Sequence, residues 1–179
     1  MAKRVLTIRG SIETKFQDKA TEKLLFNYES PDRTRGWKVT GAWIWIDTKS
    51  QNTITANNNP VIVGALATDT LGATFDMDNL TSADDSRVFG WNQIHYRGFD
   101  TEDYFVPHAS TPASQGFLLD LDRIVTNELY LYVQALTNGG LTLPAPVNVN
   151  YMVALEEQSL TPSQSILQQL KGIGQDIQQ

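Results

Sequence analysis

The chain has 179 residues, a formal net charge of −6, 41% apolar residues and no cysteine. That is enough apolar material for one domain with a real core. Without cysteine, disulfides, thiolate nucleophiles, iron–sulfur clusters and cysteine-based zinc sites are excluded.

In chain order, Arg4 to Ile12 alternates apolar and polar residues and predicts a first strand. Glu13 to Thr21 is polar and reads as a loop. Leu24, Phe26 and Tyr28 alternate with Leu25 and Asn27 in a second strand. Glu29 to Gly36 is turn chemistry built on Pro31, Asp32 and Ser30. Trp37 to Asp47 follows, with Trp37, Val39, Gly41, Trp43 and Trp45 on one face and Thr40, Ala42, Ile44 and Ile46 on the other. Both faces are apolar towards its C-terminal end, as in a central strand or one that meets another molecule. Asn57-Asn58-Asn59-Pro60 breaks the pattern, and Val61 to Ala67 reads as a short buried strand. A long acidic excursion leads to a strand at Val88 to Tyr96 and a weaker extended segment at Asp103 to Val106. Phe117, Leu119 and Leu121 alternate with Leu118, Asp120 and Asp122.

The last quarter is the most regular. Leu129 to Ala135 alternates, a Gly-rich turn follows at Thr137 to Gly140, and Val147 to Leu155 alternates again, so the two runs read as a strand, a turn and a second strand. Then the period changes. Thr161-Pro162-Ser163-Gln164 carries an N-cap, a first-position proline and a glutamine three residues after the cap. Ile166, Leu167, Leu170, Ile173 and Ile177 follow at helical spacing, against a face rich in glutamine. The expected fold is all-β: an antiparallel β-sandwich in residues 1–160, closed by a short amphipathic α-helix in 161–179. A marginal terminal helix persists only by packing on something. Its stripe serves either its own sandwich or a neighbouring subunit, which makes those five residues the candidate subunit interface.

Catalytic motifs are sparse. His95 and His108 would need a carboxylate such as Asp100, Glu102 or Asp103 to build a metal site. Asp76-Met77-Asp78-Asn79 resembles the opening of a calcium loop but lacks its glycine and closing glutamate. Asn79-Leu80-Thr81 matches a glycosylation sequon by chance. No nucleophile elbow, Walker loop or dinucleotide fingerprint occurs. No enzyme activity, cofactor or resident metal is expected. No run approaches the roughly 18 apolar residues of a membrane helix, and none at the N-terminus has signal-peptide length.

Charge is unevenly spread. Residues 1–49 hold ten of the 14 basic and six of the 20 acidic residues, so they stand at +4 and the remainder at −10. Lys3, Arg4, Arg9, Lys15 and Lys19 are the candidate contacts to nucleic-acid phosphates. Trp37, Trp43, Trp45 and Trp91 are candidate stacking platforms for a sugar, with a core or subunit contact as the plainer reading.

Eight or nine strands between Arg4 and Glu156, long Asn/Thr/Ser/Asp loops, and a final strand Asn148 to Glu156 running into a helical tail form a pattern. In it the chain resembles a small viral coat protein of the single jelly-roll type. The resemblance implies eight antiparallel strands in two facing sheets and copies of the chain tiling a shell around a genome. Other virion proteins and the packaged nucleic acid would be further partners. It also implies residence in the virion after synthesis in the host cytoplasm. Many such proteins carry an Arg-rich arm. Here the matching stretch is only Met1-Ala2-Lys3-Arg4, which leaves room for a minor or decorating role. The alternative is a carbohydrate- or receptor-binding β-sandwich module.

Overall fold

A computed structural model describes residues 4–15, 19–28, 34–47, 61–71, 85–95, 116–136 and 146–173. Among these residues eight strands and one helix follow in order: β1 (Val5–Thr14), β2 (Thr21–Asn27), β3 (Arg35–Ile46), β4 (Val61–Ala67), β5 (Val88–His95), β6 (Leu118–Leu119), β7 (Glu128–Leu136), β8 (Val147–Ser159) and α1 (Pro162–Ile173). They form a three-stranded sheet, β1-β8-β3, and a five-stranded sheet, β2-β7-β4-β5-β6. Every ladder between them is antiparallel.

The pairing is nested. The first strand pairs with the last, the second with the seventh, and the fourth with the fifth. This is the wiring of a jelly roll, a long hairpin rolled so that alternate pairs fall in alternate sheets. Consequently β7 and β8, which read in the sequence as strand, turn and strand, do not pair with each other. They are interior strands of opposite sheets.

The third nested pair is made differently. The expected strand around Phe117 to Leu121 shrinks to Leu118–Leu119, because Asp120 turns the chain. Its Oδ1 accepts the Asp122 N–H at 3.0 Å and its carbonyl accepts the Arg123 N–H at 3.2 Å, a local competitor to the ladder. What remains is a crossover between the sheets. Phe117 N–H donates to the Ala42 carbonyl at 2.9 Å, and Val125 exchanges two 2.8 Å bonds with Trp37, both on β3. Between these points Leu118 and Leu119 pair with Trp91 and Gly90 of β5. The crossover brings Phe117 into the core above Gly64, where a Cβ would meet the Phe117 ring at 2.9 Å and the Ile44 Cδ1 at 2.7 Å.

The main core lies between the sheets, built by Ala42, Ile44 and Ile46 of β3, Val149, Val153 and Leu155 of β8, Leu129, Leu131 and Val133 of β7, and Ile62 and Leu66 of β4. A second apolar cluster, including Val63, Ala65, Ala67, Val88, Tyr130 and Tyr132, occupies the outer face of the five-stranded sheet. β4 and β7 are therefore buried on both faces, which explains the unbroken apolar run of Val61 to Ala67.

The Trp face read from β3 is corrected. A register shift between Val39 and Gly41 marks a bulge at Thr40, which reverses the alternation beyond it. Trp37 and Val39 point into the core with Ala42, Ile44 and Ile46, whereas Trp43 and Trp45 lie half-buried on the outer face. Gly41 lets the Trp43 ring lie against the strand, since a Cβ there would collide with that ring. A similar shift between Leu24 and Phe26 in β2 leaves Leu24 exposed while Leu25, Phe26 and Tyr28 pack on the core.

Helix α1 starts as its sequence predicts. Thr161 Oγ1 accepts the Gln164 N–H at 3.3 Å, and Gln164 Oε1 accepts the Thr161 N–H at 3.0 Å, the reciprocal pair of a capping box. Thr161→Ala is expected to cost about 1 kcal/mol of helix stability, read as earlier amide exchange across α1 with unchanged exchange in β8.

Candidate functional site

α1 presents its apolar side outwards. Ile166, Leu167 and Leu170 are 55%, 55% and 57% exposed, whereas Ser165 is buried. The reason lies in what the helix docks on. Its seat is the turning crossover, whose backbone groups lack a ladder there. Gln168 takes that place: its amide donates to the Asp122 carbonyl at 2.9 Å and accepts the Ile124 N–H at 3.4 Å. A polar face is thus required inwards, and the apolar stripe is left facing out. Leu160, buried just before the cap, ties the helix to the sandwich through its N–H to the Thr34 carbonyl at 2.6 Å. Lys171 in the last turn complements the helix dipole.

Beside the helix runs a groove of about 390 Å³ that Leu121, Leu160 and Leu167 line together with Lys38, Asp122 and Lys171. Leu121 is 68% exposed, and Leu167 joins the helix stripe to this groove, whose walls mix apolar, amide and charged side chains of both signs. Of the five candidate interface residues, Ile166, Leu167 and Leu170 are exposed on α1, and Leu167 lines the groove. The side chain of Ile173 and all of Ile177 lie outside the described residues. Leu121 reads in the sequence as part of a strand; its place beside the helix, and the crossover beneath it, were not legible there. The available signal was Asp120, a turn former inside an alternating run.

The basic candidates do not gather. Arg4 and Lys15 flank the two ends of β1, roughly 35 Å apart at about 3.3 Å per residue. Arg4 Nε lies 3.8 Å from Glu157, which also takes Arg35 at 3.2 Å. Arg9, Lys15 and Lys19 are exposed, and Lys3 lies outside the described residues. His95 ends β5 on an exposed position. Outside the described residues lie His108, Asp100, Glu102 and Asp103, as do the Asp76 to Asn79 stretch, the sequon and the Asp103 to Val106 segment. Among the described residues no three of His, Asp or Glu stand close enough together to hold a metal ion, and no helix is long and apolar enough to cross a membrane.

Two polar clusters bind loops to the five-stranded sheet. In the first, the Tyr132 hydroxyl donates to Glu22 and accepts the Leu71 N–H at 2.7 Å, while Thr70 Oγ1 donates to the same Glu22 oxygen at 2.8 Å. Burial and the Glu22 carboxylate both push the Tyr132 phenol up. The bond from the Tyr130 hydroxyl to Glu128, at 2.7 Å, is the main reason its pKa is pushed up to about 12. In the second, Arg87 grips Asp85 through Nε and Nη2 at 3.0 and 2.7 Å, and Arg87 N–H adds a third bond at 2.9 Å.

Burial alone would raise the Asp85 carboxyl. The bonds from Arg87, with the charges of Arg87 and Arg123, outweigh it and hold the pKa below the ordinary value. A depressed folded-state pKa contributes stability above the unfolded value of about 3.9, and that contribution is lost as pH falls through the folded value. Asp85→Asn is therefore expected to lower stability by about 1–3 kcal/mol at neutral pH. It should also flatten the acid limb below about pH 4 in a urea-denaturation series; parallel limbs for both proteins would contradict this.

No family model matches the chain, and no curated protein matches it. Among solved structures, it is similar to a chain of infectious bursal disease virus, Gt strain, at 14% identity and a TM-score of 0.34, covering 87% of this chain and 31% of that one. It is also similar to a chain of turnip yellow mosaic virus at 12% identity and a TM-score of 0.32, covering 87% of this chain and 94% of that one. The present chain thus spans less than a third of the first of these. The jelly-roll assignment rests on the strand pairing itself.

Proposed function

We propose that this chain is a structural, non-enzymatic protein of a virion, and that it assembles with copies of itself into a shell. The observation that carries the reading is the outward stripe of Ile166, Leu167 and Leu170, continuous with Leu121 across the groove. A folded chain that holds a helix by its glutamines and leaves its leucines in water has a contact to complete. The groove rim supports a second copy as the occupant, because Lys38 and Lys171 on one copy can meet Asp122 on another. Packaged nucleic acid and other virion proteins are further partners in this reading.

Mass photometry across nanomolar to micromolar concentrations, followed by negative-stain microscopy, tests it. Defined multi-subunit particles are expected. A monomer that persists at micromolar concentration sinks the proposal.

One observation favours a second reading, a glycan-binding module. Trp43 and Trp45 lie on the outer face of the three-stranded sheet, opposite Met152 and Asn150 of β8. Aromatic faces beside amide side chains suit a sugar. Trp37, buried in the core, is not available for it. A silent glycan array, with Trp43→Ala and Trp45→Ala leaving cell binding unchanged, would remove this reading.

A further inference from the structure

We infer that β1 is a docking edge for β1 of a second copy, the two strands running antiparallel about a two-fold axis at Ser11. The inference rests on the reading that the chain associates with itself, and it names one contact of that association.

β1 is the outermost strand of its sheet, with β8 on one side and no paired strand on the other among the described residues. Its ladder to β8 runs from Val5 to Thr14 without a register shift, so one parity holds along it. The Arg4 carbonyl accepts the Glu157 N–H at 2.9 Å, which sets the even-numbered residues towards β8. Ser11 turns the other way, its carbonyl accepting Lys23 Nζ at 2.7 Å. Thr7, Arg9, Ser11 and Glu13 therefore aim their backbone N–H and C=O groups at the open edge, and all four are exposed. Such an edge is a template for another strand.

The edge is self-complementary in one register. With Ser11 opposite Ser11 of the copy, Arg9 faces Glu13 of the copy and Glu13 faces its Arg9. All these pairings join outward-aimed residues, so each is a hydrogen-bonded pair. Two opposite-charge pairs then flank a Ser–Ser pair on the solvent face of the sheet. Neighbouring registers do worse. Centring on Arg9 or on Glu13 opposes like charges, and centring on Ile12 sets Arg9 against Lys15. Centring on Gly10 leaves both charges opposite Ser11 and Thr7, which are neutral. The Ser11 carbonyl has two lone pairs, so it can keep Lys23 and still accept the Ser11 N–H of the copy. The product is one continuous sheet in the order β3-β8-β1-β1-β8-β3.

Sedimentation equilibrium at low ionic strength tests this on the full chain as wild type, R9E, E13R, the R9E/E13R double variant, and an equimolar mixture of the two single variants. Each single variant puts two like-charge pairs across the axis and should weaken self-association on the order of tenfold or more. The double variant restores both pairs in reverse. The mixture restores them between unlike chains, so it should recover heterodimers and thereby show that both variants are folded. Wild-type association with unaffected single variants overturns this contact and leaves the assembly reading standing. Weakened single variants that neither the double variant nor the mixture rescues also overturn it. A wild type that stays monomeric throughout overturns both.

Discussion

Replacing Ile166, Leu167 and Leu170 together with serine is expected to abolish shell particles, leaving at most the β1-paired dimer, and to leave the sandwich intact. Full burial of a large aliphatic side chain is worth roughly 1.5–3 kcal/mol. Each of the three is a little over half exposed, so losing their remaining burial from each contact should raise its dissociation constant about a hundredfold or more. The cost to the monomer should be small, because all three side chains already face water. Serine is only a few tenths of a kcal/mol poorer in a helix than leucine, and the helix keeps its capping box, its Gln168 bridge and its Leu160 anchor. Mass photometry and a thermal melt on the same preparation separate the two effects. Persistent particles would show that the stripe is not the contact. A melt lowered as far as by deletion of residues 161–179 would show that it packs within its own chain.

The second large effect is expected at Arg123, which is 4% exposed at the foot of the crossover. Its Nη2 donates to Thr68 Oγ1 at 2.7 Å, just beyond β4, and Asp120 and Asp85 supply opposing charge. Burial pushes the guanidinium's pKa down and the two carboxylates push it up; the group stays charged throughout the working pH range. Arg123→Ala removes a buried cation and its stem together, leaving Thr68 and a void. A loss of about 3 kcal/mol is expected, read as a lower urea midpoint with an unchanged m-value. Nε already lacks a hydrogen-bond partner, so part of the desolvation cost is uncompensated in the native chain. Arg123→Met, which refills the space without the charge, should therefore lose less than half as much. Equal losses for both variants would mean that the charge, not the packing, holds the crossover.

Local rules reached some features directly. An unbroken apolar run located β4 from Val61 to Ala67 residue for residue, because a strand buried on both faces is apolar throughout. The capping box at Thr161 announced α1, because its partners lie three residues apart and need nothing else. Alternation failed on β3 because a bulge costs only one residue yet reverses every side chain after it, and no residue type marks Thr40 as its seat. It also overextended the Phe117 strand, where a single aspartate redirected the backbone.

The outward stripe on α1 shows the division most sharply. Its composition and spacing are written in the chain, and periodicity alone named Ile166, Leu167 and Leu170 as one face. Which way that face points depends on the surface the helix lands on, and that surface is a crossover assembled from residues 44 and 46 positions before Gln168 in sequence. A crossover with unpaired backbone groups selects glutamine and turns the leucines to water. The same holds for β1: Arg9, Ser11 and Glu13 stand at a spacing of two in the sequence, but only the nested pairing with β8 makes their strand an open edge. Local hydrogen bonding and hydrophobic period act over a few residues and were legible. Sheet order and exposure are settled by contacts between distant segments, which no local pattern encodes.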